Sequence, residues 1–358
     1  MATIAAALEQ VKEGFGSLLD AGLIERLCRE AGHEWREREL DPATTVALFA
    51  QQVMHGNVSC QELTRLSGAS FSASAYCQAR MRLPLGVLEQ LNAHVARRAA
   101  AATDPGAPGF RWRGHRTFLC DGTSFSMPDT PELQGFFGQP GGQAPGCGFP
   151  VAHTLSMFDL HTGMVGAAAV GPMRRHDLAD TPALHASMRP GDLAVADTAF
   201  GSYAHFALLL RGGMHGLFPL HQKRIVDFTA GRGHVQPARG KSQRKKGRPR
   251  SRWIGTLDKD DQLVEWFKPK ERPAWMTQEQ FDALPASITV REVRRRVRLP
   301  TGQRIVVTLV TTLLDPVAYP ARELVRLMGG PMGSGSESAT PEDHDGHGGP
   351  AVQDGGGC

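Results

Sequence analysis

The sequence predicts an α/β protein: a mixed β-sheet core preceded by an all-α N-terminal domain. Three observations carry this. Residues 1–104 place apolar side chains at helical spacing. A Pro/Gly-rich stretch, 105–114, then interrupts the pattern and reads as a linker. From His115 onward, short apolar runs bounded by Gly, Pro and Asp alternate with helical segments.

Each element follows from local signals. Ile4, Leu8, Val11, Phe15, Leu18 and Leu19 share a helical period, which Leu23, Leu27 and Val46–Val53 continue. Ser59 is an N-cap candidate with Glu62 three residues on, a capping-box pattern. The helix Cys60–Leu66 meets Ser67-Gly68, and a Ser-rich helix carrying Tyr76, Gln78, Arg80 and Arg82 stops before Pro84. Helix, Gly turn and polar helix fit a helix-turn-helix whose second helix enters a major groove, and equally an ordinary αα-hairpin.

In the 115–221 region Thr117–Asp121 is the first strand. Ser124–Phe149, rich in Gly, Pro and Gln, reads as a long loop. Val151–Asp159 and Met164–Val170 form a hairpin about His161-Thr162-Gly163. Asp177–Met188 is helical, Leu193–Asp197 a strand, Ser202–Leu210 a helix ended by Gly212-Gly213, and Gly216–Leu220 a strand. The resulting order, β-β-β-α-β-α-β, is that of a ribonuclease-H-like mixed sheet. Residues 222–308 leave that alternation. A basic segment, His221–Arg252, precedes strands at Trp253–Leu257, Leu263–Phe267, Ile288–Arg298 and Arg304–Leu313, expected as an inserted β-rich subdomain. Residues 309–328 supply the last core strand and a helix from Tyr319, with Pro320 at an early helical position. The tail, 329–358, is Gly-dominated and has no Lys, Arg, Phe, Tyr or Trp, so it is expected to be disordered.

Composition bounds the function. The 358 residues suffice for two or more domains. A formal charge of +4 is a weak pointer to nucleic acid, and the preference for Arg over Lys also follows from GC-rich coding. Cys28, Cys60, Cys77, Cys120, Cys147 and Cys358 form no Cys-x-x-Cys pair, which argues against structural zinc and for reduced thiols. The N-terminus lacks a basic leader and no apolar run is long enough for a bilayer, so a cytoplasmic, nucleoid-associated protein is expected.

Two strands each end on a carboxylate, Asp121 and Asp197. On neighbouring strands they form the minimal hard-oxygen pair for Mg²⁺ or Mn²⁺, as two-metal phosphoryl transfer requires. Singly, Asp121-Gly122 and Asp197-Thr198 are ordinary turn signals. Asp177, after Arg174-Arg175-His176, reads as a helix N-terminal carboxylate, and His176 as a metal ligand is the lesser alternative. The basic run Lys241, Arg244, Lys245, Lys246, Arg248, Arg250 and Arg252 suits DNA phosphates, or is a solvated loop.

Phe118–Thr123, with Ser126–Thr130 and Phe149-Pro150, resembles the first-acid region of DDE transposases of bacterial insertion elements, the insertion sequence 4 group. Leu193–Ser202 is similar to their second-acid region, and Leu263–Pro269 and Leu309–Tyr319 to later segments; together the resemblance spans about residues 35–328. It implies a ribonuclease-H-like catalytic domain, divalent metal at Asp121 and Asp197, cut-and-paste chemistry on terminal inverted repeats and target DNA, and a homodimer on DNA.

The resemblance also implies a third acid, in Tyr-x-x-Arg-Trp-x-x-Glu after an Asp-Pro turn. Tyr319 and Arg322 fit its start, but Arg326 stands at the Glu position and Glu323 one residue past the Arg, so the chain as written has no third acid. Advancing the reading frame by one nucleotide turns Met332-Gly333 into Trp and lets Pro331 and Gly335 become Arg and Glu. The tail is therefore expected to be out of frame, or else a genuine extension. The expected function is a transposase, defective in cleavage as written. The alternatives are a DNA-binding remnant without catalysis and a generic ribonuclease-H-like nuclease.

Overall fold

The computed structural model describes residues 20–68, 70–102, 111–140, 142, 148–173, 177–221, 224–235, 249–298, 303–329 and 340–341. The chain divides into two compact units, Met1–Asp104 and Pro105–Cys358. The expected periodicity from Ile4 to Leu19 and the tail beyond Gly329, apart from 340–341, lie outside the described residues.

The first unit is helical: α1 (Ala21–Glu30), α2 (Pro42–Met54), α3 (Cys60–Ser67), α4 (Ala73–Arg82) and α5 (Leu85–Ala102). Short polar side chains start the helices. Asp20, Asp41, Ser59 and Ser72 each accept the backbone N–H three residues on, which satisfies one otherwise orphaned donor. The capping box expected at Ser59 is half-formed, because Glu62 turns to Arg65 at 2.5 and 2.9 Å. Gly68, at φ 62°, ends α3 in the left-handed region where a side chain is strained. Two apolar clusters hold the unit: Leu23, Ile24, Leu27, Cys28, Val46, Val87 and Leu91; and Leu48, Leu63, Phe71 and Tyr76.

The second unit is built on one sheet of order β3-β2-β1-β4-β5-β9-β8-β7-β6. Its strands are β1 (Thr117–Ser126), β2 (Val151–Asp159), β3 (Val165–Pro172), β4 (Leu193–Ala196), β5 (His215–Pro219), β6 (Arg252–Asp258), β7 (Asp261–Phe267), β8 (Ser287–Arg298) and β9 (Arg304–Thr311). A two-residue β10 (Thr340–Pro341) pairs with the end of β8. β1, β2 and β3 are antiparallel, β4 and β5 run parallel to β1, and β9, β8, β7 and β6 continue antiparallel. This is the mixed, ribonuclease-H-like sheet the sequence predicts.

Strand alternation sorts the core onto two faces. Phe118, Cys120, Ala194, Ala196 and Phe218 face one side, beneath α7 (Thr181–His185) and α8 (Tyr203–Arg211). Leu193, Val195, Leu217, Val293 and Leu309 face the other, under α10 (Ala321–Met328).

Four expectations change. The inserted β subdomain is not separate: β9 pairs with β5, so β6–β9 widen the same sheet, and Val264, Trp266, Ile288 and Val290 join the same core. The 124–149 loop is partly regular, because β1 continues to Ser126 by pairing with β2 through Ser126↔Val151. A short helix, α6 (Pro131–Phe137), follows there, capped by Thr130 with no buried residue. The 177–188 helix is split into a 3₁₀ turn (Asp177–Ala179) and α7, since Pro182 has no N–H to continue the ladder. α10 starts at Ala321, with Pro320 extended ahead of it. The short helix α9 (Gln278–Asp282) links β7 to β8.

Candidate active site

β1 and β4 are adjacent and parallel, in register from Thr117↔Leu193 to Cys120↔Ala196. Asp121 and Asp197 are each the next residue, so the backbone carries them on neighbouring parallel strands, which run about 5 Å apart. Both are exposed. Their strand parity matches Leu119, Leu193 and Val195, so both belong to the face that α10 covers.

Local bonds fix each acid. Asp121 Oδ1 accepts its neighbour Gly122 N–H at 2.9 Å, and Asp197 Oδ1 accepts Ala199 N–H at 2.9 Å, capping the 3₁₀ turn Thr198–Phe200. The turn lies close against β5: a Cβ on Gly201 would meet the Pro219 carbonyl at 3.1 Å. Beside Asp121, Cys120 is buried. Burial, with the Asp121 charge adding, pushes its thiol up to about 12, which makes it inert.

The two carboxylates suit a hard divalent cation: they are exposed oxygen donors in register on one face. Among the described residues, no group of three or more His, Cys, Asp or Glu is arranged to hold a metal. Glu323 does not complete the pair. It sits in the first turn of α10, where the Arg113 guanidinium binds it in a fork, Nε to Oε2 at 2.7 Å and Nη2 to Oε1. That hydrogen bonding holds the Glu323 carboxyl below its usual range, with the charges of Arg113, Arg322 and Arg326 adding. Arg113 precedes β1, so Glu323 lies at the end of the sheet opposite the two Asp. Arg322 and Arg326 are exposed on α10.

The start of α10 is clamped by groups that sequence reasoning missed. Arg291, fully buried on β8, forks onto Asp261 of β7 (Nε–Oδ1 2.8 Å, Nη2–Oδ2 2.5 Å). Its Nη1 donates to the carbonyls of Tyr319 at 2.7 Å and Asp315 at 3.3 Å. Tyr319 hydroxyl meets His115 Nε2 at 2.8 Å, and Trp112 stacks on the Tyr319 ring. α10 lies beside β8 and touches β10, which pairs with Val297. The arginine run of β8 carried no signal that one member was a buried anchor, and Asp261 fell between the expected strands Trp253–Leu257 and Leu263–Phe267.

The other expected site residues are scattered. Arg80 turns inward: its guanidinium donates to Gln52 Oε1 at 2.8 Å and lies over the rings of Phe49 and Tyr76. It is a packing residue of the first unit, whereas Arg82 is exposed. Arg250 is exposed; Arg252, also exposed, pairs with Glu265 at 2.6 Å. Lys241, Arg244, Lys245, Lys246, Arg248, His176 and Gly335 lie outside the described residues. No helix among the described residues is long and apolar enough to cross a membrane.

Residues 112–330 match the profile of the transposase DDE domain family. No curated protein matches the chain in sequence. Among solved structures, the cryo-EM structure of the piggyBac transposase synaptic complex with hairpin DNA is similar at 11% identity and a TM-score of 0.36, over 84% of this chain. The chain spans 60% of that structure's length.

Proposed function

Since the chain belongs to the transposase DDE domain family, we propose that it recognises the ends of an insertion element of the insertion sequence 4 group. In this reading Asp121 and Asp197 are the first two acids of its cleavage site. The observation that carries this is their register: two carboxylates, one step past Cys120↔Ala196, on one face of adjacent parallel strands. A divalent ion bound there would supply Lewis-acid stabilisation of charge on phosphate oxygens. The chain's own parts set the geometry. The ladders of β1 and β4 fix the spacing of the acids, and the N–H groups of Gly122 and Ala199 fix their rotamers. Arg82, Arg250 and the Lys241–Arg252 run neutralise DNA phosphates, and DNA is bound by a homodimer.

The third acid belongs on the continuation of α10. Glu323, forked to Arg113, does not serve as that acid. The frame change beyond Leu327 accounts for its loss, and resequencing the gene through the codon of Gly335 tests it. The chain as written therefore binds element ends without cutting them efficiently. The test is Mg²⁺-dependent nicking of a terminal-repeat duplex, beside a binding assay, for this chain, for a frame-corrected chain and for its Asp121→Ala variant. Binding by all three and nicking by the corrected chain alone is expected. Equal nicking with Asp121→Ala removes the metal-site assignment.

A further inference from the structure

We infer that His205 is a positioning residue for Asp197, acting through the carbonyl of Phe200. The inference rests on Asp197 being an ion ligand. His205 is buried on α8, behind the 3₁₀ turn that Asp197 caps. Its Nδ1 lies 2.9 Å from the Phe200 carbonyl oxygen. A carbonyl only accepts, so Nδ1 carries the proton and the neutral ring presents a lone pair at Nε2. That lone pair meets His185 Nε2 at 3.0 Å, so His185 donates there. The two rings stack at 5.0 Å and 7°, and His205 also stacks on Phe218 of β5 at 5.0 Å.

The chain of donors therefore runs from α7 through His185 and His205 into the turn. The Phe200 carbonyl also accepts Ser202 N–H at 2.8 Å, so it is held from two directions. One residue before Phe200, the same turn presents the Ala199 N–H that fixes the Asp197 carboxylate. Burial keeps both rings neutral at ordinary pH, as the donor chain requires. Partners that orient a metal ligand in this way commonly change ion affinity by tenfold or more when lost.

The experiment uses two amides of different reach on the full chain. His205→Asn keeps a donor at the place of Nδ1; His205→Gln moves it to the place of Nε2. Mn²⁺ alone is titrated by electron paramagnetic resonance, and amide exchange at Ala199 is followed by mass spectrometry. His205→Gln is expected to need about tenfold more Mn²⁺ than wild type and to exchange Ala199 faster, with His205→Asn near wild type in both. Equal Mn²⁺ affinity and equal exchange in the two variants overturns the inference. Asp197→Ala is the control. If it binds Mn²⁺ as wild type does, the ligand assignment falls, and Ala199 exchange alone decides whether His205 holds the turn.

Discussion

Replacing Arg291 with Met tests what holds the start of α10. Arg291 and Asp261 are almost wholly buried, at 0% and 2% side-chain exposure, and the guanidinium makes four hydrogen bonds. Met fills most of the volume and removes every donor. Asp261 is then a buried carboxylate without its counter-charge, a loss of about 3–5 kcal/mol. The carbonyls of Tyr319 and Asp315 lose a donor as well, at about 1–3 kcal/mol if neither finds water. Urea unfolding should show a fall of at least ~3 kcal/mol, or roughly 6–20 °C in melting temperature. Adding Asp261→Leu removes the stranded charge but not the loss at the carbonyls. The double variant should therefore recover most of the stability, stay about 1–3 kcal/mol below wild type, and still exchange the α10 amides faster. A loss under about 1 kcal/mol for Arg291→Met alone would refute the reasoning, because a buried charge cannot lose its partner so cheaply.

Three further outcomes rest on the same structure. A Cβ on Gly216 would meet Phe218, Leu209 and Phe206 side-chain atoms at 2.8 to 2.9 Å, so Gly216→Ala should cost about 1–3 kcal/mol by chemical denaturation. Burial, with the charge of His185 adding, pushes His205 down to about 3, and burial pushes His185 down to about 4. Unfolded, both titrate near ~6.5, so below that pH the unfolded chain binds protons the folded chain refuses. Stability is then full above about pH 6.5 and falls as pH drops toward about 4; urea midpoints across that range should show the fall, and a His185→Gln/His205→Asn variant should flatten it. Changing Lys241, Arg244, Lys245, Lys246 and Arg248 together to Gln should weaken binding to any duplex, and reduce the salt slope by about 0.9 for each phosphate no longer neutralised.

The strands that carry Asp121 and Asp197 were legible because their signal is local. Thr117–Asp121 and Leu193–Asp197 are apolar runs that end on a carboxylate, and short runs of that kind pair as strands. The β-β-β-α-β order then made them neighbours. The helix starts at Ser59 and Ser202 were legible for the same reason, since each caps through a bond of three residues' span. Misreadings arose where pairing or proline overrode composition. Ser124–Ser126 opens the stretch that reads as loop, yet β2 supplies its ladder; Pro182 divides a helix that periodicity alone would continue.

The roles of individual cations were not legible. Arg80 and Arg291 resemble their exposed neighbours in sequence, and only their partners distinguish them: Gln52 is 28 residues from Arg80, and Asp261 is 30 from Arg291. The same holds for His205, whose stacking with His185 joins two helices.

The two-acid motif, the order of strands and the lack of an acid at position 326 follow from residue type and short-range spacing. That Glu323 belongs to Arg113, and that β6–β9 widen one sheet instead of forming a subdomain, emerges from long-range pairing. The assembled structure alone shows α10 clamped at its base by Arg291. Those facts depend on bonds between residues far apart in the chain, whose geometry exists only once the sheet has assembled.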